Sequence, residues 1–396
     1  MKKIINLFKM PSKSDFILHL AIIGLAVFGF VMVISASMGL SIGDNRYLVF
    51  TGAKLAIFTF IGYMGMVFCA KHFTFEKVAK NSMILMFGTI IALMACLLFA
   101  GSGGAKAWIR LPIPGREVTI QPSEFAKIIF MIILATYLGD DRKKYDSWWE
   151  FVKIPVCFVL ICVCIVWFLQ SDFGSAVVLF LIAVFCYLIP RKPILRISQY
   201  LLVMLGIIGI IGVVLMLYTK TGENIIYSLP FQQYQINRIL SSINPFIDEY
   251  NTGYQLINGL VAFATGGLFG KGFGNSVRKY TDFPASNTDF ILAIVVEELG
   301  FVGFLVIAIG YLTIIFVLFK YAFRIRSEKA KIVLVGVAMY MFIHFLFNVG
   351  GVTGFIPLTG VPLLMISAGG SSTTSLMMAI RIAQAIISQY RKGLIV

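Results

Sequence analysis

The sequence contains few charged residues: Asp, Glu, Lys and Arg together make up 13% of its 396 residues. A soluble globular domain usually carries about 25%. Hydrophobic residues make up 59%, and the mean hydropathy is +0.92, so too few polar side chains remain to cover a water-soluble surface. The scarcity of charge excludes a soluble globular protein and predicts a polytopic membrane protein.

Cysteine and histidine are also scarce, with six and three copies. All six cysteines lie inside apolar runs, where they predict neither a disulfide framework nor a metal site. No metal-ligand spacing links the three histidines, and isolated histidines of this kind more often have a structural role. The sequence therefore predicts no tightly bound cofactor and leaves any metal site unknown.

Apolar runs long enough to cross a membrane, about 17 to 25 residues each, occur ten times. The predicted fold is an all-α integral membrane protein of ten transmembrane helices, forming one polytopic domain over residues 1–396. The fifth and sixth runs are short and leave open a single hairpin, and the eighth is long enough to predict a short lead-in helix from Thr288. The spans are 16–38, 48–70, 82–100, 122–139, 154–169, 174–190, 199–219, 289–319, 332–350 and 373–389.

Basic residues are distributed unequally between the two sides of this arrangement. Of the 33 Lys and Arg residues, 21 fall on the side of the two termini, nine on the opposite side and three within spans. Because basic loops stay in the cytoplasm, both termini are predicted inside, and residues 220–288 form a large extracellular loop. The net charge of +15 then reflects topology and attraction to anionic lipid, and implies no nucleic-acid partner.

Three carboxylates interrupt the start of the eighth span: Asp289, Glu297 and Glu298. An ionised side chain in the hydrocarbon region costs on the order of 2.5 to 3.5 kcal/mol, so acids kept there usually line a polar cavity and take part in function. Asp289, at the predicted water interface, is the candidate catalytic acid; the alternative is an acid that the helix dipole favours. Glu297 would lie about 12 Å deeper, so both glutamates are predicted to pair with cations or fix helix packing.

Glycine is concentrated at residues 266–274, within the predicted extracellular loop. This segment lacks the preceding strand and the Lys-Ser/Thr ending of a phosphate-binding P-loop. Turns and backbone packing in a re-entrant loop are the preferred interpretation.

Five motifs together carry a family resemblance. They are Gly104–Arg110 with Gln121–Lys127, Gln170–Gly174, Gly253–Gln255 with the glycine-rich segment, Thr288–Gly300, and Gly360–Ser372. In this order they resemble the SEDS family of cell-wall polymerases, whose members include FtsW, RodA and SpoVE. The chain has Ala285 and Asn287 where the family usually shows Glu and His, and Ala368 where it shows Tyr. The ending Gly272-Phe-Gly-Asn-Ser276 is more similar to the FtsW branch than to the RodA branch.

The resemblance implies a peptidoglycan glycosyltransferase that polymerises lipid II at the outer face of the bacterial cytoplasmic membrane, at the division septum. It also implies two kinds of partner, a class B penicillin-binding protein transpeptidase and divisome membrane proteins. An elongation-type RodA polymerase, a lipid II flippase or transporter, and a scaffold for division proteins are the alternatives.

The implied reaction converts an α-linked sugar pyrophosphate into a β-1,4 link, which suits a single displacement with a carboxylate base on the acceptor hydroxyl. Asp289 matches the family's catalytic aspartate and is the predicted base. The leaving pyrophosphate needs cations, or a divalent metal such as magnesium or manganese. Glu124 and Lys127 are expected to form an intramembrane ion pair. The predicted substrate-binding residues are Lys106, Trp108, Arg110, Gln121, Ser123, Glu124, Lys127, Asp172, Arg238, Gln255, Lys279, Thr288, Ser371 and Ser372.

Overall fold

The computed structural model describes residues 13–42, 44–101, 104–113, 116–140, 147–228, 233–251, 253–281 and 283–395. A helix occupies each of the ten predicted spans, and short helices also form in the predicted extracellular loop. The helices are α1 (Phe16–Ser37), α2 (Asn45–His72), α3 (Phe75–Lys80), α4 (Ser82–Ala95), α5 (Pro122–Leu138), α6 (Trp148–Cys164), α7 (Phe173–Leu188), α8 (Arg196–Tyr218), α9 (Lys220–Ser228), α10 (Gln233–Ile243), α11 (Tyr254–Gly266), α12 (Ile291–Arg324), α13 (Glu328–Val352) and α14 (Gly370–Arg391).

Six helical segments within the described ranges are long and apolar enough to cross a membrane. The chain is therefore a multi-pass, helical membrane protein. Helices α4 and α7 are apolar but shorter. Membrane crossing by all ten helices, with both termini inside, stays a prediction. The six segments are Phe16–Ser37, Arg46–Gly65, Trp148–Leu169, Pro193–Tyr218, Ile291–Arg324 and Glu328–Val352.

A two-stranded antiparallel hairpin, which the all-α prediction missed, precedes α5. Strand β1 (Ile109–Ile113) pairs with β2 (Arg116–Ile120), with Ile109 opposite Ile120. The strands have five residues each, too few for a periodicity signal in a chain dominated by apolar runs. Trp108 precedes β1 and Gln121 follows β2, so the antiparallel pairing brings these two residues next to each other.

The helical core is formed mainly by α5, α7, α12, α13 and α14, whose inward faces are buried. In contrast, α8 has no buried residue along its length and lies at the edge of the bundle. Helix α6 ends in a π-helical turn at Ile165–Leu169, and Ser171, with φ of 56°, turns the chain into α7. The fifth and sixth predicted spans are thus two distinct helices.

Helix α12 is interrupted at Gly300, which has φ of 68° and ψ of −164°. The glycine-rich loop docks into this break: the backbone N–H groups of Lys271 and Gly272 donate to the carbonyls of Glu297 and Glu298, both at 2.9 Å. A Cβ at Gly300 would lie 2.3 Å from the carbonyl oxygen of Leu268, so only glycine allows this contact. The loop is therefore a backbone-packed element, as the sequence predicts.

The predicted lead-in helix from Thr288 is wrong. Residues 284–290 form turns, in which Ala285 has φ of 56°, and α12 begins at Ile291. Asp289 therefore lies in these turns and not in α12, so its side chain can point away from the helix axis.

Candidate functional site

A cavity of about 540 Å³ opens among the hairpin, α5, α7, α10, the turns before α12 and the start of α14. Ten of the predicted site residues line it, although they come from six separate parts of the chain. They are Trp108, Gln121, Glu124, Lys127, Asp172, Arg238, Thr288, Asp289, Ser371 and Ser372.

Asp289 is fixed through its backbone. The side-chain amide of Asn348, on α13, donates to the carbonyl of Asp289 at 2.8 Å and to that of Val361 at 3.0 Å. Gly360 lies opposite the carboxylate: a Cβ there would be 3.7 Å from Asp289 Oδ2 and 3.6 Å from Arg238 Nη1. The carboxylate and the guanidinium therefore both approach the bare backbone of one glycine.

Burial in the cavity raises the pKa of Asp289 to about 7. The positive charge of Arg238 lowers this pKa and the negative charge of Asp172 raises it, but loss of water around the carboxylate is the largest cause. Burial also raises the pKa of Asp172, against hydrogen bonds from Ser175. A carboxyl with a pKa near neutrality can take a proton and return it, as a general base requires.

Gln121 connects three elements at one wall of the cavity. Its side-chain amide donates to Asp172 Oδ2 at 2.9 Å and to the Ser175 hydroxyl at 3.1 Å, while its backbone N–H donates to the Ser371 hydroxyl at 3.1 Å. Asp172 also caps α7, since its Oδ1 accepts from the backbone N–H of Ser175 at 3.0 Å. Asp172 thus combines turn formation with a place in the cavity.

Glu124 and Lys127 form the predicted ion pair, with Nζ to Oε1 at 2.6 Å and side chains 2% and 1% exposed. The Tyr340 hydroxyl donates to Glu124 Oε2 at 2.8 Å. His344 lies on the other side of Lys127, with Nε2 at 2.9 Å from Nζ. This pair occupies the inner end of the cavity with its buried charges compensated.

The other five predicted residues do not line the cavity. Lys106 is exposed, and its backbone N–H donates to the Gln170 carbonyl at 2.8 Å. Lys279 is buried, with Nζ at 2.8 Å from Glu298 Oε1 and 3.1 Å from the Ser35 hydroxyl. Lys279 therefore joins α1 to α12, a structural position that differs from the substrate contact expected of it. Arg110, Ser123 and Gln255 likewise lie outside the lining.

Glu297 and Glu298 pair with cations, as predicted. Glu297 accepts from Lys271 Nζ at 2.8 Å, from the Ser276 hydroxyl at 2.5 Å and from the backbone N–H of Arg278 at 3.2 Å. These bonds attach the Lys271 side chain of the glycine-rich loop, and the residues just after that loop, to the start of α12.

Sequence reasoning missed two cavity residues, Lys54 and His344, which lie within the apolar helices α2 and α13. The available signal was the presence of an ionisable side chain inside a membrane span. His344 also stands four residues before Asn348, and so on the same helical face. In the described part of the chain, no group of three or more His, Cys, Asp or Glu residues could hold a metal ion. The cavity's cations are Lys54, Lys127 and Arg238.

Comparison with known proteins finds matches along nearly the whole chain. A family model described as cell cycle protein, whose label joins FtsW, RodA and SpoVE, matches residues 16–392. A protein of Bacillus subtilis named "Probable peptidoglycan glycosyltransferase FtsW" is 31% identical, covering 93% of this chain and 89% of that protein. Stage V sporulation protein E of the same organism is 30% identical, covering 93% and 95%. The protein named "Probable peptidoglycan glycosyltransferase FtsW" of Dichelobacter nodosus is 29% identical, covering 97% and 94%.

Solved structures share the fold. A chain from a peptidoglycan synthase complex that coordinates polymerization and crosslinking matches with a TM-score of 0.70 at 20% identity, covering 96% of this chain and 98% of that chain. The rod shape determining protein RodA of Thermus thermophilus matches with a TM-score of 0.64 at 19% identity, with the same coverage.

Proposed function

Because the chain belongs to the cell cycle protein family of FtsW, RodA and SpoVE and is most like FtsW, we propose that it is a peptidoglycan glycosyltransferase that polymerises lipid II. The Bacillus subtilis and Dichelobacter nodosus FtsW relatives are named as probable peptidoglycan glycosyltransferases. The observation that supports it most directly is the position of Asp289: a carboxyl with a pKa of about 7 faces a cavity that also holds three cationic side chains.

In the proposed reaction, Asp289 accepts the proton of the acceptor sugar's hydroxyl while that oxygen attacks the anomeric carbon of the donor. The bond from this carbon to the pyrophosphate breaks on the opposite face, so an α link becomes a β link. One proton moves to Asp289, and the electron pair of the broken bond leaves with the pyrophosphate. The hydrogen bond from Asn348 to the Asp289 backbone keeps the base in place during this step.

The negative charge of the leaving pyrophosphate is proposed to meet Arg238, Lys127 and Lys54. Arg238 was expected in this role from the sequence. Lys127 was predicted to bind substrate and to pair with Glu124, and Lys54 is added by its place in the cavity. No described residue forms an ion pair or hydrogen bond with the Lys54 ammonium, so its charge is available to an anion. A magnesium or manganese ion would bind here only together with the substrate's pyrophosphate.

We place the cavity at the outer face of the cytoplasmic membrane, at the division septum, with both termini inside. The basic residues of the predicted cytoplasmic segments support the orientation, and the FtsW relatives support the septal role. A class B penicillin-binding protein transpeptidase is the proposed partner, alongside divisome membrane proteins. The structural neighbour from a complex that combines polymerization with crosslinking supports such a pairing.

The purified protein, with and without the transpeptidase, tests this function on labelled lipid II. We expect a ladder of glycan strands on a gel. Movement of lipid II across a vesicle membrane without strand formation would indicate a flippase, and neither product would indicate a scaffold; both results contradict the proposal.

A further inference from the structure

We propose that His344 positions Lys127 by acting as a neutral hydrogen-bond acceptor, which leaves one N–H of Lys127 for a phosphate oxygen of the substrate. The choice of ligand rests on the function proposed above. The positioning itself rests on contacts within the chain.

The tautomer of His344 follows from its two neighbours. His344 Nδ1 is 3.0 Å from the carbonyl oxygen of Pro362, which can only accept, so Nδ1 carries the hydrogen. His344 Nε2 is 2.9 Å from Lys127 Nζ, and an ammonium can only donate, so Nε2 carries the lone pair. A doubly protonated ring would point an N–H at the ammonium. Both contacts therefore require the neutral tautomer of His344 that carries its hydrogen on Nδ1.

The hydrogen bonds of Lys127 within the chain use two of the N–H groups of its ammonium and leave one without an acceptor among the described residues. An ammonium has three N–H groups. Among the described residues, Glu124 Oε1 accepts one at 2.6 Å and His344 Nε2 accepts a second. Because Glu124, Lys127 and His344 all line the cavity, the third N–H has an anionic substrate as its natural acceptor.

The surrounding side chains hold this arrangement still. The ring of Tyr340 lies edge-on to His344, with centroids 4.9 Å apart, and its hydroxyl occupies Glu124 Oε2. His344 is also one helical turn from Asn348, and the two side chains hold the neighbouring carbonyls of Pro362 and Val361. Since Asn348 also binds the backbone of Asp289, one face of α13 sets the distance between the base and Lys127.

Two substitutions separate this role from simple space filling. In His344→Gln, the amide oxygen can accept from Lys127 and the amide N–H can donate to Pro362. His344→Leu has similar bulk and does neither. We expect His344→Leu to lower kcat/KM by about 10- to 100-fold, as misplacement of a charged group typically does, and His344→Gln to stay within a few-fold of the parent. His19→Leu, on α1 outside the cavity lining, is the matched control and should have the parent's activity.

Nuclear magnetic resonance measures the tautomer of His344 directly and needs no activity assay. The chain has three histidines, so 15N-histidine labelling of the full chain in lipid nanodiscs gives few signals, and the one lost in His344→Gln belongs to His344. We expect a neutral ring protonated at Nδ1. Protonation at Nε2 or at both nitrogens would overturn the proposal, as would parent activity in His344→Leu or equal loss in both His344 variants. If His344→Leu fails to fold, the spectrum and His344→Gln still decide. A parent that makes no polymer refutes the proposed function and leaves the spectrum to test the positioning.

Discussion

Asp289 and Arg238 come together over the backbone of Gly360, where both side chains would contact a single added Cβ. The guanidinium stabilises the ionised carboxylate, but burial of the carboxylate outweighs it, so the pKa of Asp289 rests at about 7. Asp289 is therefore poised between its two protonation states at neutral pH, and its neighbours can shift that balance in either direction.

Asp289→Asn should abolish polymerisation, because the amide keeps the shape of the carboxyl but cannot accept the proton. Loss of a general base typically costs about 10² to 10⁴-fold. This loss of activity is measured as the initial rate of glycan synthesis on lipid II. Asp44→Asn, an exposed acid outside the cavity, is the control and should retain full activity. Full polymer yield from Asp289→Asn would contradict the assignment of the base.

The rate should depend on pH through Asp289. The base works only when ionised, so kcat/KM should fall by about tenfold per pH unit below pH of about 7. Arg238→Gln removes a positive neighbour, which raises the pKa of Asp289 and moves this limb to higher pH. Asp172→Asn removes a negative neighbour, which lowers the pKa and moves the limb to lower pH. Shifts in the same direction for both variants would argue against Asp289 as the titrating group.

The cavity cations should differ from basic residues outside the cavity. Lys54→Gln and Arg238→Gln should each reduce the polymerisation rate by on the order of 10²-fold, as loss of a charge-stabilising contact does. Lys106→Gln should stay within about tenfold, because Lys106 is exposed and away from the cavity. The sequence placed both Lys106 and Arg238 among the predicted substrate-binding residues. A large loss for Lys106→Gln with parent rates for Lys54→Gln would reverse the assignment made from the structure.

Topology is testable by labelling in intact cells. Tyr250→Cys, in the predicted extracellular loop and 87% exposed, should react with a membrane-impermeant thiol reagent. Arg326→Cys, between α12 and α13, should react only after the membrane is opened. The parent chain, with its six cysteines, gives the background. The reverse pattern would place the cavity on the cytoplasmic side and would contradict the proposed reaction.

Sequence reasoning found the helices because membrane spans give a strong composition signal. It pointed to Asp289 and to the Glu124–Lys127 pair because charged residues in apolar runs are rare, and to Asp172 through the family resemblance. It misplaced Lys279, since charge alone cannot distinguish a lysine that faces a cavity from one paired with Glu298. It passed over Lys54 and His344 because which face of a helix meets a cavity depends on packing between distant segments. The hairpin and the turns before α12 depend on the same long-range contacts.

The break in α12 should be needed for stability of the loop that docks there. In Gly300→Ala, the new Cβ would lie 2.3 Å from the Leu268 carbonyl oxygen, and alanine would have to adopt φ of 68° with ψ of −164°. Strain of this kind costs about 1 to 3 kcal/mol, so the thermal unfolding midpoint of the detergent-solubilised protein should fall, and hydrogen exchange at the Lys271 and Gly272 amides should become faster. Gly206→Ala is the matched control, because a Cβ there meets nothing within 4 Å on α8. Equal stability of the two variants would show that docking of the glycine-rich loop does not require glycine at position 300.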